Sequence, residues 1–241
     1  MRKLILTFCL VALTAIAGDI LVVGSKIVTA PGPTPANVVP AEAFGYNEWS
    51  NFGGKISDTT NGSGMNGIKY PVEPTTWYTN AVSEWYSTAP STDYHDEWQA
   101  EGYELLTGNA WYILDLGESV VLNEWYLWNG RDAGGSRGFQ TFNIYYANTP
   151  TVAPAHGPTS SGAVLEYSFA SGGWTLLNTD GVLFCPQANG SDTTPQLIVD
   201  LGGKRARYIA IEMLTSHGAT TRIGFAEGGI TQQTYTKGVV Q

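Results

Sequence analysis

Short runs of alternating apolar and polar residues dominate the chain from residue 108 onward. The clearest runs are residues 111–116, 122–128, 142–146, 174–177, 197–201 and 208–213. A repeat of two is that of a half-buried β-strand, and these runs are separated by clusters of Gly, Asn, Asp and Pro. No stretch carries a convincing 3.6-residue repeat. The pattern therefore predicts an all-β protein, an antiparallel sandwich or barrel with many turns.

Trp111 and Trp125 lie on two of these predicted strands, and we assign both side chains to the core. Of the two cysteines, Cys9 lies in an N-terminal apolar run, and Cys185 follows the apolar stretch Val182-Leu183-Phe184. No basic residue flanks Cys185 to lower its pKa, so we expect a buried small hydrophobe and not a reactive thiol.

The N-terminus has the pattern of a secretory signal peptide. Arg2 and Lys3 precede an uncharged apolar run over residues 4–17, which ends in the small-x-small site Ala15-Ile16-Ala17. A membrane anchor is the alternative, but a span needs about 20 apolar residues and Asp19 interrupts the run. We predict cleavage after residue 17 and a secreted protein, either extracellular or at the cell surface (periplasmic in a Gram-negative host), with no membrane insertion afterwards.

The net charge narrows the classes of partner. The chain carries −9 at neutral pH, with 12 basic and 21 acidic residues, and cleavage of the leader removes two of the bases. Nucleic-acid phosphates and anionic membrane surfaces both require Lys and Arg. Charge therefore argues against both as partners.

Beyond the leader the composition changes twice. Residues 18–40 hold a proline cluster at 31–35 and are predicted to be an extension or linker. Residues 41–235 are predicted to form the sandwich domain. Within it, residues 73–107 carry seven acidic and seven Trp or Tyr residues but no Lys or Arg, which indicates a long loop or insertion.

Several motifs in sequence order resemble the discoidin, or coagulation-factor type C, domains of the galactose-binding-like superfamily. They are the Thr-Thr-Trp of 75–77, "W-Y-I-L-D-L-G" at 111–117, "R-G-F" with "F-N-I-Y-Y" at 137–146, "W-T-L-L" at 174–177, "R-Y-I-A-I" at 207–211 and "G-F-A-E" at 224–227. The resemblance covers roughly residues 45–230, and the lone cysteine and signal peptide are similar to those of bacterial exported proteins of this type. It implies a jelly-roll β-sandwich that binds ligands, often glycans, through loops at one end.

The resemblance also implies a structural calcium ion. By position the ligands would be Asp58, Asn61, Ser63, Thr76 and Glu227. The residues themselves fit, since Ca²⁺ takes six to eight oxygen ligands and the loop 57–64 is rich in hard oxygen donors and Gly. An Asx-turn loop whose side chains bond their own backbone fits the same sequence, and both interpretations stay open.

The candidate glycan-binding residues lie in three predicted loops. They are Trp85, Tyr94, His95 and Trp98 in the insertion, Arg131 and Arg137 in a Gly-rich loop, and His217 in the last inter-strand loop, with Arg222 nearby. Aromatic rings stack on the apolar faces of sugars, while cationic and imidazole groups bond hydroxyls. The alternatives are packing for the tryptophans and, for Arg137, an ion pair with Asp115 or Asp132.

Catalysis has little support in the sequence. The paired acids Asp96, Glu97 and Glu101 could serve a glycosidase, but an acidic loop is usually only solvated, and no nucleophile or zinc motif is found. We therefore expect a secreted glycan-binding or adhesion module and no enzyme. The rival interpretation is a surface or matrix protein that self-associates or binds protein through exposed apolar patches, without a sugar site.

Overall fold

Antiparallel β-strands make up nearly all regular structure in the part of the chain that the computed structural model describes. That part comprises residues 20–23, 26–29, 34–48, 56–60, 62, 98–101, 110–160, 162–189, 191–219 and 222–234. Its strands are β1 (Ile20–Val23), β2 (Lys26–Thr29), β3 (Thr34–Val38), β4 (Glu42–Gly45), β5 (Trp98–Glu101), β6 (Ala110–Asn129), β7 (Phe139–Ala147), β8 (Thr175–Leu176), β9 (Leu183–Phe184), β10 (Leu197–Asp200), β11 (Arg205–Ser216) and β12 (Arg222–Thr234). Three short 3₁₀ turns span Ile56–Thr59, Asp132–Gly135 and Phe169–Ser171. The prediction of an all-β antiparallel sandwich is confirmed.

Strand β6 belongs to both layers of the sandwich. Its first half pairs with β4 and β11, and its second half pairs with β10 and β12, in each case antiparallel. The change occurs at a turn that begins at Gly117, where residues 117–119 are exposed and Gly117 has φ +79°. A left-handed backbone at this point suits Gly, because it has no Cβ to clash. Strand β11 then pairs with β7, whose other neighbours are the short strands β8 and β9.

The core lies between the two layers and is lined by alternate residues of the long strands. Trp111 and Trp125 are 1% and 0% exposed, which confirms their assignment to the core. Phe142, Ile144 and Ile211 are fully buried beside them. Trp128 is also fully buried, so the end of β6 is covered on both faces. Alternation of this kind is the period of two that the sequence displays.

Cys185 is buried in the same core and has a free thiol. Burial raises its pKa to about 12, because the thiolate would lose its hydration. The thiol is therefore protonated and unreactive near neutral pH, as predicted.

Strand directions bring several chain turns to one end of the sandwich. Strand β6 ends at Asn129 opposite Phe225 of β12, and β7 begins at Phe139 opposite Ser216 of β11. The opposite end carries the turn at 117–119. We refer to the first end as the rim, formed by residues 129–138, 184–189 and 216–224.

Asp115 lies towards the opposite end and forms an ion pair with Arg207. The guanidinium donates Nε–H to Oδ1 at 2.9 Å and Nη2–H to Oδ2 at 2.8 Å. Partial burial acts to raise the pKa of Asp115, but the bonds from Arg207 and from the Gly117 amide outweigh it and lower that pKa. The predicted alternative of an Arg137–Asp115 pair is therefore wrong, because Arg137 lies at the rim.

Two compact units divide the chain. One spans Pro35–Gln233 and holds the sandwich; the other comprises Met1–Thr34 and Thr234–Gln241 and includes the antiparallel pair of β1 and β2. The sandwich unit thus begins before the predicted boundary at residue 41, because β3 is a strand that borders β12. Residues 98–101 of the predicted loop 73–107 form a strand, β5, which pairs with β12. The rest of that loop lies outside the described part of the chain. The predicted signal peptide lies outside it as well.

His156 ties the long connection after β7 to strand β4 and the residues that follow it. One ring nitrogen, Nδ1, lies 2.9 Å from Glu48 Oε1, and the other, Nε2, lies 2.8 Å from Glu42 Oε1. Partial burial acts to lower the pKa of His156, but the hydrogen bonds and charges of Glu48 and Glu42 outweigh it and raise that pKa. The raised pKa means that protonation favours the folded state.

We expect the stabilisation by His156 to be present at pH 5–6 and to fade as the pH rises through the elevated folded-state pKa. Since His156 and Glu42 are about half exposed, screening limits the effect to about 1–3 °C in Tm. Tm values of the native protein and of His156→Gln, measured from pH 5 to 9, check this. The gap should narrow toward alkaline pH, and a constant gap would contradict the assignment.

Candidate functional site

Backbone hydrogen bonds connect the segments of the rim. The first segment, 129–138, meets the last, 216–224, through N–H···O contacts and a parallel bridge between Gly138 and Gly224. The contacts are His217 N–H to Gly138 O, Ala219 N–H to Ser136 O and Gly224 N–H to Arg137 O, each 3.1 Å from N to O. Bonds between backbone groups fix loop position without using the side chains. The side chains of these loops are therefore held on a defined backbone.

Asn129 joins the first rim segment, 129–138, to the middle segment, 184–189. It is fully buried, and its Nδ2 donates to Phe139 O at 2.8 Å and to Pro186 O at 3.0 Å. Its Oδ1 accepts the N–H of Gly130 at 2.9 Å. The buried amide thus forms hydrogen bonds with backbone groups at the turn that have no partner in the strand pairing. Asn129 is therefore the organising residue of the rim.

Two glycines permit the close approach of these segments. A Cβ on Gly135, which has φ +80°, would lie 2.0 Å from Ala188 O, and a Cβ on Gly138 would lie 2.5 Å from Asn129 Oδ1. Both distances are shorter than any side chain tolerates. The Gly-rich character of this loop thus reflects packing between loops.

The predicted glycan residues take different positions in this arrangement. Arg137 and His217 are partly exposed at the rim, whereas Arg131 is only 6% exposed and lies beneath it, before the Asp132–Gly135 turn. Strand β5, which begins at Trp98, pairs with the start of β12 and so reaches the same end. Trp85, Tyr94 and His95 lie outside the described residues. The structure thus brings Arg131, Arg137, His217 and the backbone of Trp98 to one end.

Phe184 is a rim residue that the sequence interpretation did not select. The residue is 55% exposed, and the centroid of its ring lies 5.9 Å from that of the His217 ring, with the two ring planes at 86°. A signal for it existed: once Cys185 is placed in the core, the two-residue repeat points Phe184 outward. Its apolar neighbours in the run 182–184 hid that signal.

The His217 ring is oriented by the backbone of the middle segment. Its Nε2 lies 2.9 Å from Cys185 O. A carbonyl oxygen only accepts, so Nε2 carries the proton, and in the neutral ring Nδ1 is an acceptor. Within the described residues we find no partner for Nδ1.

The candidate metal loop meets Glu227, as the predicted ligand set requires. Glu227 is 1% exposed, and its Oε1 accepts the N–H of Gly62 at 2.9 Å. Thr59 Oγ1 lies 2.7 Å from Tyr112 Oη. Burial raises the pKa of Tyr112; the bond with Thr59 lowers it, and the nearby Glu227 charge raises it further. Asp58 lies on the 3₁₀ turn of this loop, partly exposed.

Asn61, Ser63 and Thr76 of the predicted ligand set lie outside the described part of the chain. Across the residues that are described, there is no group of three or more His, Cys, Asp or Glu side chains able to hold a metal. Nor does the described part contain a helix with the length and apolar character to cross a bilayer.

Known protein families and curated proteins give no match to this chain. Solved structures do resemble it. The lectin-binding domain of lectinolysin, a His 62 mutant complexed with Lewis b, is 18% identical over 85% of this chain and 100% of that domain, with a TM-score of 0.47. An F5/8 type C domain from Bacteroides fragilis is 15% identical over 57% of this chain and 74% of its own length (TM-score 0.39). The module GH31 CBM32-2 bound to GalNAc is 12% identical over 85% and 99% (TM-score 0.43).

Proposed function

We propose that this chain is a secreted module that binds glycans at the rim and does not catalyse a reaction. The observation that supports this most is the exposed ring of Phe184 beside the oriented imidazole of His217. A solvent-exposed aromatic ring offers a flat apolar surface to the C–H face of a sugar. The imidazole adds directional hydrogen bonding next to that surface.

The rigidity of the rim supports the same proposal. Asn129, Gly135 and Gly138 hold the loops in one arrangement before any ligand arrives. A site already ordered loses less conformational entropy on binding, which matters for sugars because their hydroxyls must also give up water. Loops locked in this way suit ligand binding better than a free hairpin end.

Phe184→Ala and His217→Ala are each expected to weaken glycan retention about tenfold, since a stacking or hydrogen-bonding contact contributes roughly 1–1.5 kcal/mol. Tm should change by less than about 2 °C for Phe184→Ala, because its side chain is mostly solvated. A glycan array identifies a ligand, and calorimetry on the best hit measures the loss.

Val152→Ala is the matched control for this experiment. Its side chain is 53% exposed, like that of Phe184, but follows the far end of β7. Retention should be unchanged in this variant. An array with no retained glycan, or equal losses in Phe184→Ala and Val152→Ala, would overturn the rim proposal.

A structural calcium ion in the loop 56–63 is part of the proposal. The buried carboxylate of Glu227 supports it, because the Gly62 bond brings this loop against a hard oxygen donor of the kind that calcium takes. Glu227, Asp58 and loop carbonyls are the hard oxygen donors that calcium takes. The ion would fix this loop onto β12, and it would supply no reaction chemistry.

We expect calcium to raise the Tm of the mature protein by about 5–10 °C when its free concentration is 100-fold above Kd. Glu227→Gln, which keeps shape but not charge, should lose most of this rise. Thermal melts in millimolar CaCl₂ and in chelator, for both proteins, provide the measurement. A Tm that does not respond to calcium would overturn the calcium proposal and leave Glu227 as a buried acceptor of the Gly62 N–H.

Self-association is the second candidate function. Phe184 of the rim and Val182 just before it are both more than half exposed, so together they offer an apolar contact for protein. A sizing column on the native chain separates the two functions. Glycan binding by a monomer supports the first, while assembly without any array hit supports the second.

A further inference from the structure

Phe184 belongs to an outward row of side chains that crosses three strands. It pairs with Thr141 of β7, and Thr141 pairs with Thr215 of β11. Residues in register on neighbouring strands share a face of the sheet, with Cβ atoms about 5 Å apart. The exposed ring therefore has threonine hydroxyls on one side, and the imidazole of His217 also lies next to it.

The direction of the hydrogen bonds in this row can be assigned from its partners. Thr215 Oγ1 lies 3.3 Å from Gln140 Oε1, which only accepts, so the Thr215 hydroxyl donates there. Thr215 Oγ1 then accepts the Thr141 N–H at 3.2 Å and the Thr141 hydroxyl at 2.7 Å. The single hydroxyl proton of Thr141 is thereby used within the row. Its oxygen offers a ligand lone pairs only.

His217 likewise offers a hydrogen-bond acceptor to a ligand. Its Nε2 proton is used on Cys185 O, and Nδ1 is an acceptor in the neutral ring. Both polar groups around the Phe184 ring thus accept hydrogen bonds. Across the described residues neither Thr141 Oγ1 nor His217 Nδ1 has a donor assigned to it.

We infer that the row of Phe184, Thr141 and His217 is a subsite for neutral saccharides, which donate hydroxyl protons to its acceptors while an apolar C–H face covers the ring. This rests on the proposed glycan binding and adds the class of sugar. Deprotonated carboxylates and sulfates have no proton to donate and would set lone pairs against lone pairs. The acidic chain, at −9, adds long-range repulsion of anionic polymers.

Arg137 and Arg222 also belong to the rim, and each is already engaged in an interaction within the protein. Their positive charge would favour an acidic ligand. Acidic sugars are therefore the outcome that the experiment must distinguish from neutral ones.

The test is competition by sugar pairs that differ only at C6. Galactose and galacturonic acid, glucose and glucuronic acid, and mannose and mannuronic acid compete with the best array glycan for the native chain. In at least one pair the neutral sugar should compete, and its uronic acid should compete at least about tenfold more weakly. An acid that competes as well as, or better than, its neutral partner in every active pair would overturn the subsite while leaving glycan binding intact. If no glycan binds at all, the proposed function itself fails.

Variants of Thr141 test the acceptor directly. Thr141→Val removes the oxygen and should weaken the neutral competitor at least fivefold, whereas Thr141→Ser keeps the oxygen and should retain most binding. Thr149→Val, an exposed position beyond the far end of β7, is the matched control and should bind normally. Equal binding by Thr141→Val and the native chain, with both folded by Tm, would contradict the assignment. If Thr141→Val does not fold, strong loss of binding in folded Thr141→Ser contradicts it instead.

Discussion

Asn129→Ala is expected to lower the free energy of unfolding by roughly 2–4 kcal/mol and to abolish glycan retention at the rim. Removing the amide takes the donor from Phe139 O and from Pro186 O, and buried carbonyls without donors cost about 1–3 kcal/mol each. The middle segment, which carries Phe184 at its start, would lose its tie to the first. Urea unfolding and array binding measure the two effects.

Asn148→Ala is the control for this prediction. Asn148 also bonds a backbone carbonyl through Nδ2, that of Arg205, at 3.0 Å, but it is exposed and lies at the far end. Water replaces its bonds, so the loss should stay below about 1 kcal/mol and binding should persist. If both variants lost stability equally, Asn129 would not be the organising residue of the rim.

Trp125→Ala is expected to cost about 3–5 kcal/mol, the largest stability loss among these substitutions. Trp125 is fully buried and stands on β6 opposite Ile230 of β12 and Val199 of β10. The substitution would leave a cavity the size of an indole ring beside three neighbouring strands, β10, β6 and β12. Small movements cannot fill it, because the hydrogen bonds between these strands hold them in place. Urea or thermal unfolding measures the loss.

Trp125→Phe and Tyr126→Ala serve as comparisons for the stability loss in Trp125→Ala. The first keeps most of the buried volume and should retain the fold with a smaller loss. The second changes the next residue, which is partly exposed and bonds Glu124 at 2.6 Å, and should cost less than about 1.5 kcal/mol. A loss for Trp125→Ala no greater than that for Tyr126→Ala would show that Trp125 is not part of the core.

Local pattern was enough to predict the long strands and the burial of Trp111 and Trp125. It did not select Trp128, which is also fully buried. The two-residue repeat through Trp111 and Trp125 needs a face towards the core and a face towards solvent, and the structure has both. The same repeat places Phe184 outward after Cys185, although an apolar run concealed it. Such local signals work because side-chain direction along a strand depends on neighbours in sequence.

Contacts between residues far apart in sequence could not be predicted from the hydrophobic pattern. The sequence leaves Asp115 as one possible partner of Arg137, but strand pairing places Arg207 beside Asp115 instead. Arg131, predicted to face a ligand, is only 6% exposed in the folded chain. Which of several arginines meets which acid depends on register between strands far apart in sequence, which composition does not encode.

The sequence by itself determined the class of the fold and the buried face of the long strands, because both follow from the alternation of apolar and polar side chains. Tertiary structure decided the site. It tied segments 129–138, 184–189 and 216–224 together through Asn129 and His217, and it set Phe184 beside Thr141. Those contacts join residues tens of positions apart, and only the pairing of whole strands brings them within hydrogen-bonding distance.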